Sequence, residues 1–226
     1  MWRKARVEPL LKDIFHSRKW YIAKTIANGD CSLDSLAVAF RLPRIQDVFD
    51  RIRQFVAQTN PDIDFEDVRE KKAKAHQWLS IDDINFICMK QFKTIPIILD
   101  MREKEDEIPF AFDAPTNATF AKLRDELITS SISIGRELQY LIMSYDGSHF
   151  EPYGAKCKEV VGHSRPEAEA YRTLFAESQL PSGLLEAWNE AYAKFLRLKI
   201  KSAKQQRQAR KPGQKKKDAD IVEISD

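Results

Sequence analysis

The sequence predicts an α+β fold, a small β-sheet flanked by helices, on three observations. Residues 137–153 carry a hairpin signal, Ile97-Ile98-Leu99 is a continuous apolar run of strand length, and several stretches repeat apolar residues at helical spacing. The first helical run, Leu33 through Phe40, follows the turn Asn28-Gly29-Asp30-Cys31. Val48, Ile52, Phe55 and Val56 mark a second helix over 45–56, and residues 65–75 read as a third, more polar one. Ser80 caps a fourth over 81–92, with Asp83 three residues later as the acidic partner of a capping box. Its apolar face holds Ile84, Ile87, Cys88 and Phe92, which puts Cys88 in the core.

Pro96 then introduces the 97–99 strand, whose unbroken apolar character suits a buried, central position in the sheet. Residues 101–115 are acidic and loop-like, and Phe120, Leu123 and Leu127 mark a helix over 117–127. The hairpin runs from Glu137 to Tyr145, turns at Asp146-Gly147 and returns through His149 to Tyr153. Two further helices are expected at 166–177 and 182–200, joined at Pro181-Ser182-Gly183. Their apolar stripe of Leu174, Leu184, Leu185, Trp188, Tyr192, Phe195 and Leu196 is expected to pack on the domain. No internal repeat is apparent.

At 226 residues and 43% hydrophobic, the chain suits one domain with extensions. The expected division is a main domain over 1–160, a helical extension over 161–203 and a disordered basic tail over 204–226. Its three cysteines cannot all pair, and Met1 to Trp20 lacks the continuous apolar core of a signal peptide, so a reducing, cytoplasmic or nuclear setting is expected. No apolar run approaches the ~20 residues that span a bilayer, and no membrane partner is expected. From Lys199 to Asp226 there are nine Lys/Arg and four Asp/Glu, a net +5 against +3 for the whole chain, so the preceding 198 residues carry −2. Basic character belongs to the tail, and residues 199–217 with Pro212-Gly213 have too few apolar side chains to build a core.

Cys31 stands where the Gly29 turn hands over to a helix. The first N–H groups of a helix and its dipole favour a thiolate, which gives a cysteine there a reason to be nucleophilic. Gly29 can adopt angles that expose neighbouring amides to an oxyanion. His149, at the hairpin corner, is followed by Phe150 and, two residues on, by Glu151; residues i and i+2 of a strand share a face, so Glu151 can reach the imidazole and fix its tautomer. A Cys/His/acid constellation follows, with the histidine as base and the acid as orienter. Asp146 is the alternative acid.

These residues resemble three blocks of the ovarian-tumour (OTU) family of cysteine proteases, mostly deubiquitinases. Asn28-Gly29-Asp30-Cys31 is similar to the family's Asp-Gly-x-Cys, Trp78 to Asp100 to its middle block, and His149 to Pro152 to its His-aromatic block. Order and spacing agree over about residues 15–160. Asn28 stands where the family usually has Asp, and Glu151 where it often has Asp or Asn. The resemblance implies a papain-like α+β fold and hydrolysis at the ubiquitin C-terminus without a cofactor or metal. Cys31, His149 and Glu151 would be catalytic, and the loop of Asn28, Gly29 and Asp30 would form the oxyanion hole. Phe150, and Glu105 and Asp106 of the acidic loop with Glu103 and Glu107, would meet the substrate tail and its arginines. A catalytically inactive ubiquitin-binding protein, or a protease for another ubiquitin-like modifier, is the competing expectation.

His16 and His76 are read as surface residues, and Cys157 with His163 lacks the second pair that a zinc site needs. The terminal run around Ile221, Val222 and Ile224, with acidic neighbours, resembles a SUMO-interacting motif that would add as a strand to its partner. The basic 199–217 segment offers a contact to nucleic acid or another acidic surface, and equally a nuclear-import signal.

Overall fold

The computed structural model describes residues 20–26, 29–60, 73–74, 78–102, 110–112, 117–156 and 171–209. In chain order the elements are β1 (Trp20–Ile22), α1 (Cys31–Phe40), α2 (Gln46–Thr59), α3 (Ile81–Lys90), β2 (Thr94–Asp100), α4 (Asn117–Ser133), β3 (Gln139–Tyr145), β4 (Phe150–Lys156), β5 (Tyr171–Arg172), β6 (Leu174–Ala176) and α5 (Leu184–Ala209). The strands form one mixed sheet in the order β1-β4-β3-β2. β2 and β3 are parallel, as a crossover carrying α4 requires, and the other pairings are antiparallel.

Alternation along the strands divides the core between the two faces of the sheet. Ile95, Ile97 and Leu99 of β2 and Tyr140 and Ile142 of β3 face α4 and α5, where Phe120, Leu127, Leu184, Trp188 and Tyr192 close over them. Ile98, Leu141, Met143 and Phe150 face the other way, onto Leu33 and Leu36 of α1, Ile52 and Val56 of α2, and Ile84, Ile87 and Cys88 of α3. Helix α3 starts with the capping box the sequence announces: Asp83 N–H donates to Ser80 Oγ, and Ser80 N–H to Asp83 Oδ2.

Several expectations are corrected. The 97–99 strand is buried on both faces but lies at the edge of the sheet, not its centre. Its apolar run reflects helices above and below; the outer edge meets Phe110, with Ala111 N–H donating to Ile98 O. Pro96, which has no N–H to give a ladder, fits an edge strand. Within the helix expected over 166–177, residues 171–176 are instead extended, and Glu177 opens a short 3-10 turn. β5 pairs with β4 and β6 with β3, so the segment fills the fork where those two strands part, and Phe175 is buried there while Leu174 packs on the opposite core. Apolar residues at 171, 174 and 175 have helical spacing, and the unpaired flanks of β3 and β4 override it.

α4 runs past Leu127 to Ser133, with Ser130 and Ser133 hydroxyls donating to carbonyls of the preceding turn, and stops at Gly135 in the left-handed conformation. α5 continues past Ile200 to Ala209, into the segment expected to be disordered from 204. Lys, Gln, Arg and Ala there are strong helix formers, so propensity extends a helix already nucleated by its packed first turns. The expected helix over 65–75 lies almost entirely outside the described residues, as does the boundary at 160/161. Among the described residues no helix is long and apolar enough to cross a membrane.

Candidate active site

Cys31 opens α1 with Asp30 at the N-cap, and α1 lies against β4, the strand that follows His149. Three side chains of the N-cap and first turns fix the place of α1. Asp30 is buried, and its carboxylate pairs with the fully buried Arg53 of α2 instead of capping its own helix. Asp34, also fully buried, takes a two-pronged contact from Arg44, 2.6 Å to Oδ1 and 2.5 Å to Oδ2, and accepts the Ile26 N–H at 2.8 Å. Ser35, one turn after Cys31, donates to Phe150 O across the interface at 2.7 Å.

The thiol therefore rests against the chain on either side of His149. Cys31 Sγ is 3.9 Å from Ser148 O, 117 residues away in sequence, and the Phe150 N–H is directed at the sulfur. The residue is only 2% exposed. Burial pushes its thiol above the ordinary 9.0, and the Asp146 carboxylate adds to this; the N–H groups of Phe150, Ser32 and Cys31 itself pull the other way without prevailing. The helix N-terminus is present as expected, and burial works against it.

The hairpin corner is fastened from below. Asp146 Oδ1 accepts from Ser148 N–H at 2.9 Å, Ser148 Oγ at 2.9 Å and His149 N–H at 2.7 Å. Burial pushes the Asp146 carboxyl up, but these bonds and the nearby His149 outweigh it and hold it below 3.8. Asp146 thus shapes the turn through the backbone N–H groups of Ser148 and His149. Gly147 has φ +97, and a Cβ there would stand 3.1 Å from Arg102 Cδ, whose guanidinium lies over the Tyr145 ring.

His149 is half-buried, and two groups meet its Nε2. Thr25 Oγ1 is at 2.8 Å and Glu151 Oε1 at 3.8 Å, the second beyond hydrogen-bond range. Thr25 Oγ1 also donates to Phe150 O at 2.7 Å. Phe150, expected to meet substrate, is a correction: its ring is 1% exposed and stacks on Tyr145 at 4.5 Å between centroids, so it anchors β4 in the core. In the turn before Cys31, Gly29 has φ +87 and the Asp30 carboxylate pairs with Arg53. Asn28, Glu105 and Asp106 lie outside the described residues, as do His16, His76, Cys157, His163, Ile221, Val222 and Ile224. Cys88 is fully buried, and burial drives its thiol strongly upward. Among the described residues no group of three or more His, Cys, Asp or Glu gathers where a metal ion would be held.

Thr25, Ser35, Asp34 and Arg53 escaped the sequence reading. Arg53 left a trace, since it stands four residues after Phe49 and three before Val56 on the apolar stripe of α2. Ser35 lies four after Cys31, on the same face of α1.

No known protein-family profile and no curated protein sequence matches the chain. Among solved structures, the fold is similar to an ovarian tumour (OTU) domain determined in complex with ubiquitin, at 14% identity over 76% of this chain and 84% of that one, with a TM-score of 0.42. At that distance the site rests on the chain's own residues.

Proposed function

We propose that the chain is a cysteine hydrolase acting on the isopeptide bond at the ubiquitin C-terminus. The observation that carries this reading is the seating of the Cys31 thiol, at the start of a helix, between Ser148 O and Phe150 N–H on the two sides of His149. The choice of ubiquitin rests on the sequence resemblance of residues 28–31, 78–100 and 149–152 to the OTU family.

In this reading His149 takes the proton from Cys31 Sγ as the sulfur attacks the carbonyl carbon, and the carbonyl electron pair moves onto oxygen. Backbone amides of the Gly29 to Cys31 turn receive that oxyanion, each donor contributing about 3 kcal/mol in comparable sites. Collapse of the tetrahedral intermediate breaks the C–N bond, and the proton held by His149 leaves with the lysine amine. Water then attacks the thioester with His149 as base, releasing the carboxylate and restoring the thiol. Glu151 lends negative charge to the imidazolium from 3.8 Å. A buried thiol with a raised pKa fits a mechanism in which the proton moves during attack, in place of a pre-formed thiolate.

The same burial favours a second reading, a ubiquitin-binding protein without turnover. Ubiquitin bearing an electrophilic alkyne at its C-terminus separates the two. The hydrolase gains one ubiquitin mass at Cys31, lost in Cys31→Ala and strongly slowed in His149→Ala; a binding protein retains affinity for ubiquitin and forms no adduct.

A further inference from the structure

We infer that Thr25 is the positioning residue of His149, fixing the imidazole as the Nε2–H tautomer and leaving Nδ1 as the basic nitrogen. This rests on the hydrolase reading for its kinetic consequence, but the hydrogen-bond accounting stands by itself. Thr25 Oγ1 lies 2.7 Å from Phe150 O and 2.8 Å from His149 Nε2. A carbonyl oxygen can only accept, and a threonine hydroxyl has one hydrogen to give. That hydrogen goes to Phe150 O; were it turned to the imidazole, two lone-pair oxygens would face each other at 2.7 Å in a partly buried site. Thr25 Oγ1 must therefore accept from the ring, which places the proton on Nε2. Ser35, donating to the same carbonyl at 2.7 Å, fills its other lone pair and leaves no competing use for it.

The threonine is held where this requires. Ala23 N–H donates to Pro152 O at 3.0 Å and Ile26 N–H to Asp34 Oδ2 at 2.8 Å, so the segment is tied to β4 just before Thr25 and to α1 just after it. Asp34 is in turn clamped by Arg44. Thr25, Cys31 and His149 are thus indexed to one framework, although 124 residues separate Thr25 from the histidine. The work that one carboxylate does in a Cys/His/acid triad is divided here. Thr25 sets tautomer and ring orientation through a direct hydrogen bond, while Glu151, at 3.8 Å, supplies charge without that contact.

Nitrogen-15 spectra of the histidine side chains, recorded on the full chain above the pH at which imidazole titrates, test the tautomer directly. The expected wild-type result is a protonated Nε2 and an unprotonated Nδ1 at His149, with His149→Gln assigning the signals. Thr25→Val, which keeps the shape and removes the hydroxyl, should lose the protected Nε2–H signal and lower kcat on a ubiquitin C-terminal amide roughly tenfold to a hundredfold, with KM nearly unchanged. Thr25→Ser should restore both. Glu151→Gln should keep the tautomer and alter the pH profile of kcat. A wild-type ring protonated at Nδ1, or a folded Thr25→Val protein with the wild-type ring spectrum, overturns the assignment. If the wild type has no hydrolase activity, the functional reading fails, and the spectra still decide the role of Thr25.

Discussion

Replacing Arg53 with Met should destabilise the protein far more than its loss of one ion pair on paper suggests. Arg53 is fully buried and Asp30 is 1% exposed, so the substitution takes the guanidinium away from a buried carboxylate directly before Cys31. Asp50, another carboxylate near the guanidinium, stands 3.9 Å away and is 38% exposed, too distant and too wet to take over the pair's role. Stranding one member of a buried pair costs about 3–5 kcal/mol. With a urea m-value near ~2 kcal/mol/M, the midpoint falls by about 1.5–2.5 M. Joining Asp30→Asn to Arg53→Met removes the stranded charge, so the double variant should be more stable than Arg53→Met alone, with a coupling of several kcal/mol in the double-mutant cycle. Urea melts followed by tryptophan fluorescence read all three. A midpoint shift below ~0.5 M for Arg53→Met would refute the claim that this pair anchors the nucleophile turn, since an exposed ion pair costs no more than that.

Other outcomes follow from the same structure. Cys31 should react with iodoacetamide more slowly than a small free thiol at neutral pH and accelerate as pH rises beyond 9.0, because burial holds its proton; peptide mapping gives the rate, and a faster reaction than free cysteine at pH 7 would contradict this. Asp146, whose carboxyl is held low, contributes stability that is present above the unfolded value of 3.8 and is lost as pH falls through the lower folded value. Asp146→Ala should therefore be less stable than wild type at pH 7 and lose less on acidification, and parallel acid limbs would count against it. Trp188→Ala should cost about 3–5 kcal/mol, since Trp188 is 1% exposed between α5 and the sheet; a loss under ~1 kcal/mol in a thermal melt would mean that α5 is not part of the core.

Helices α1 to α3, strand β2 and the His149 hairpin were legible because each carries a local signal: a capping box at Ser80, a turn pair at Asp146-Gly147, apolar repeats of the right period. The β5–β6 segment was not, because its few apolar residues are spaced as in a helix and its partners lie elsewhere in the chain, in β4 and β3. Position of β2 within the sheet was equally hidden, since a strand covered by helices on both faces reads the same at the edge as at the centre. At the site, residue types drew the eye to Cys31, His149 and Glu151. The group nearest the imidazole, Thr25, has no local pattern to betray it, because its role exists only once β1 pairs with β4 and brings the following residues to the hairpin. The burial of the Cys31 thiol was hidden for a related reason. The helix N-terminus is visible in a sequence, whereas the burial that works against it is a property of the packed interface.

The most direct test of the central claim is the release of a fluorogenic amide from the ubiquitin C-terminus by the purified full chain beside Cys31→Ala and His149→Ala. The account predicts turnover by the wild type, none by Cys31→Ala and a loss of at least ~100-fold in His149→Ala. Absence of turnover in the wild type, or activity that survives in either variant, would contradict it.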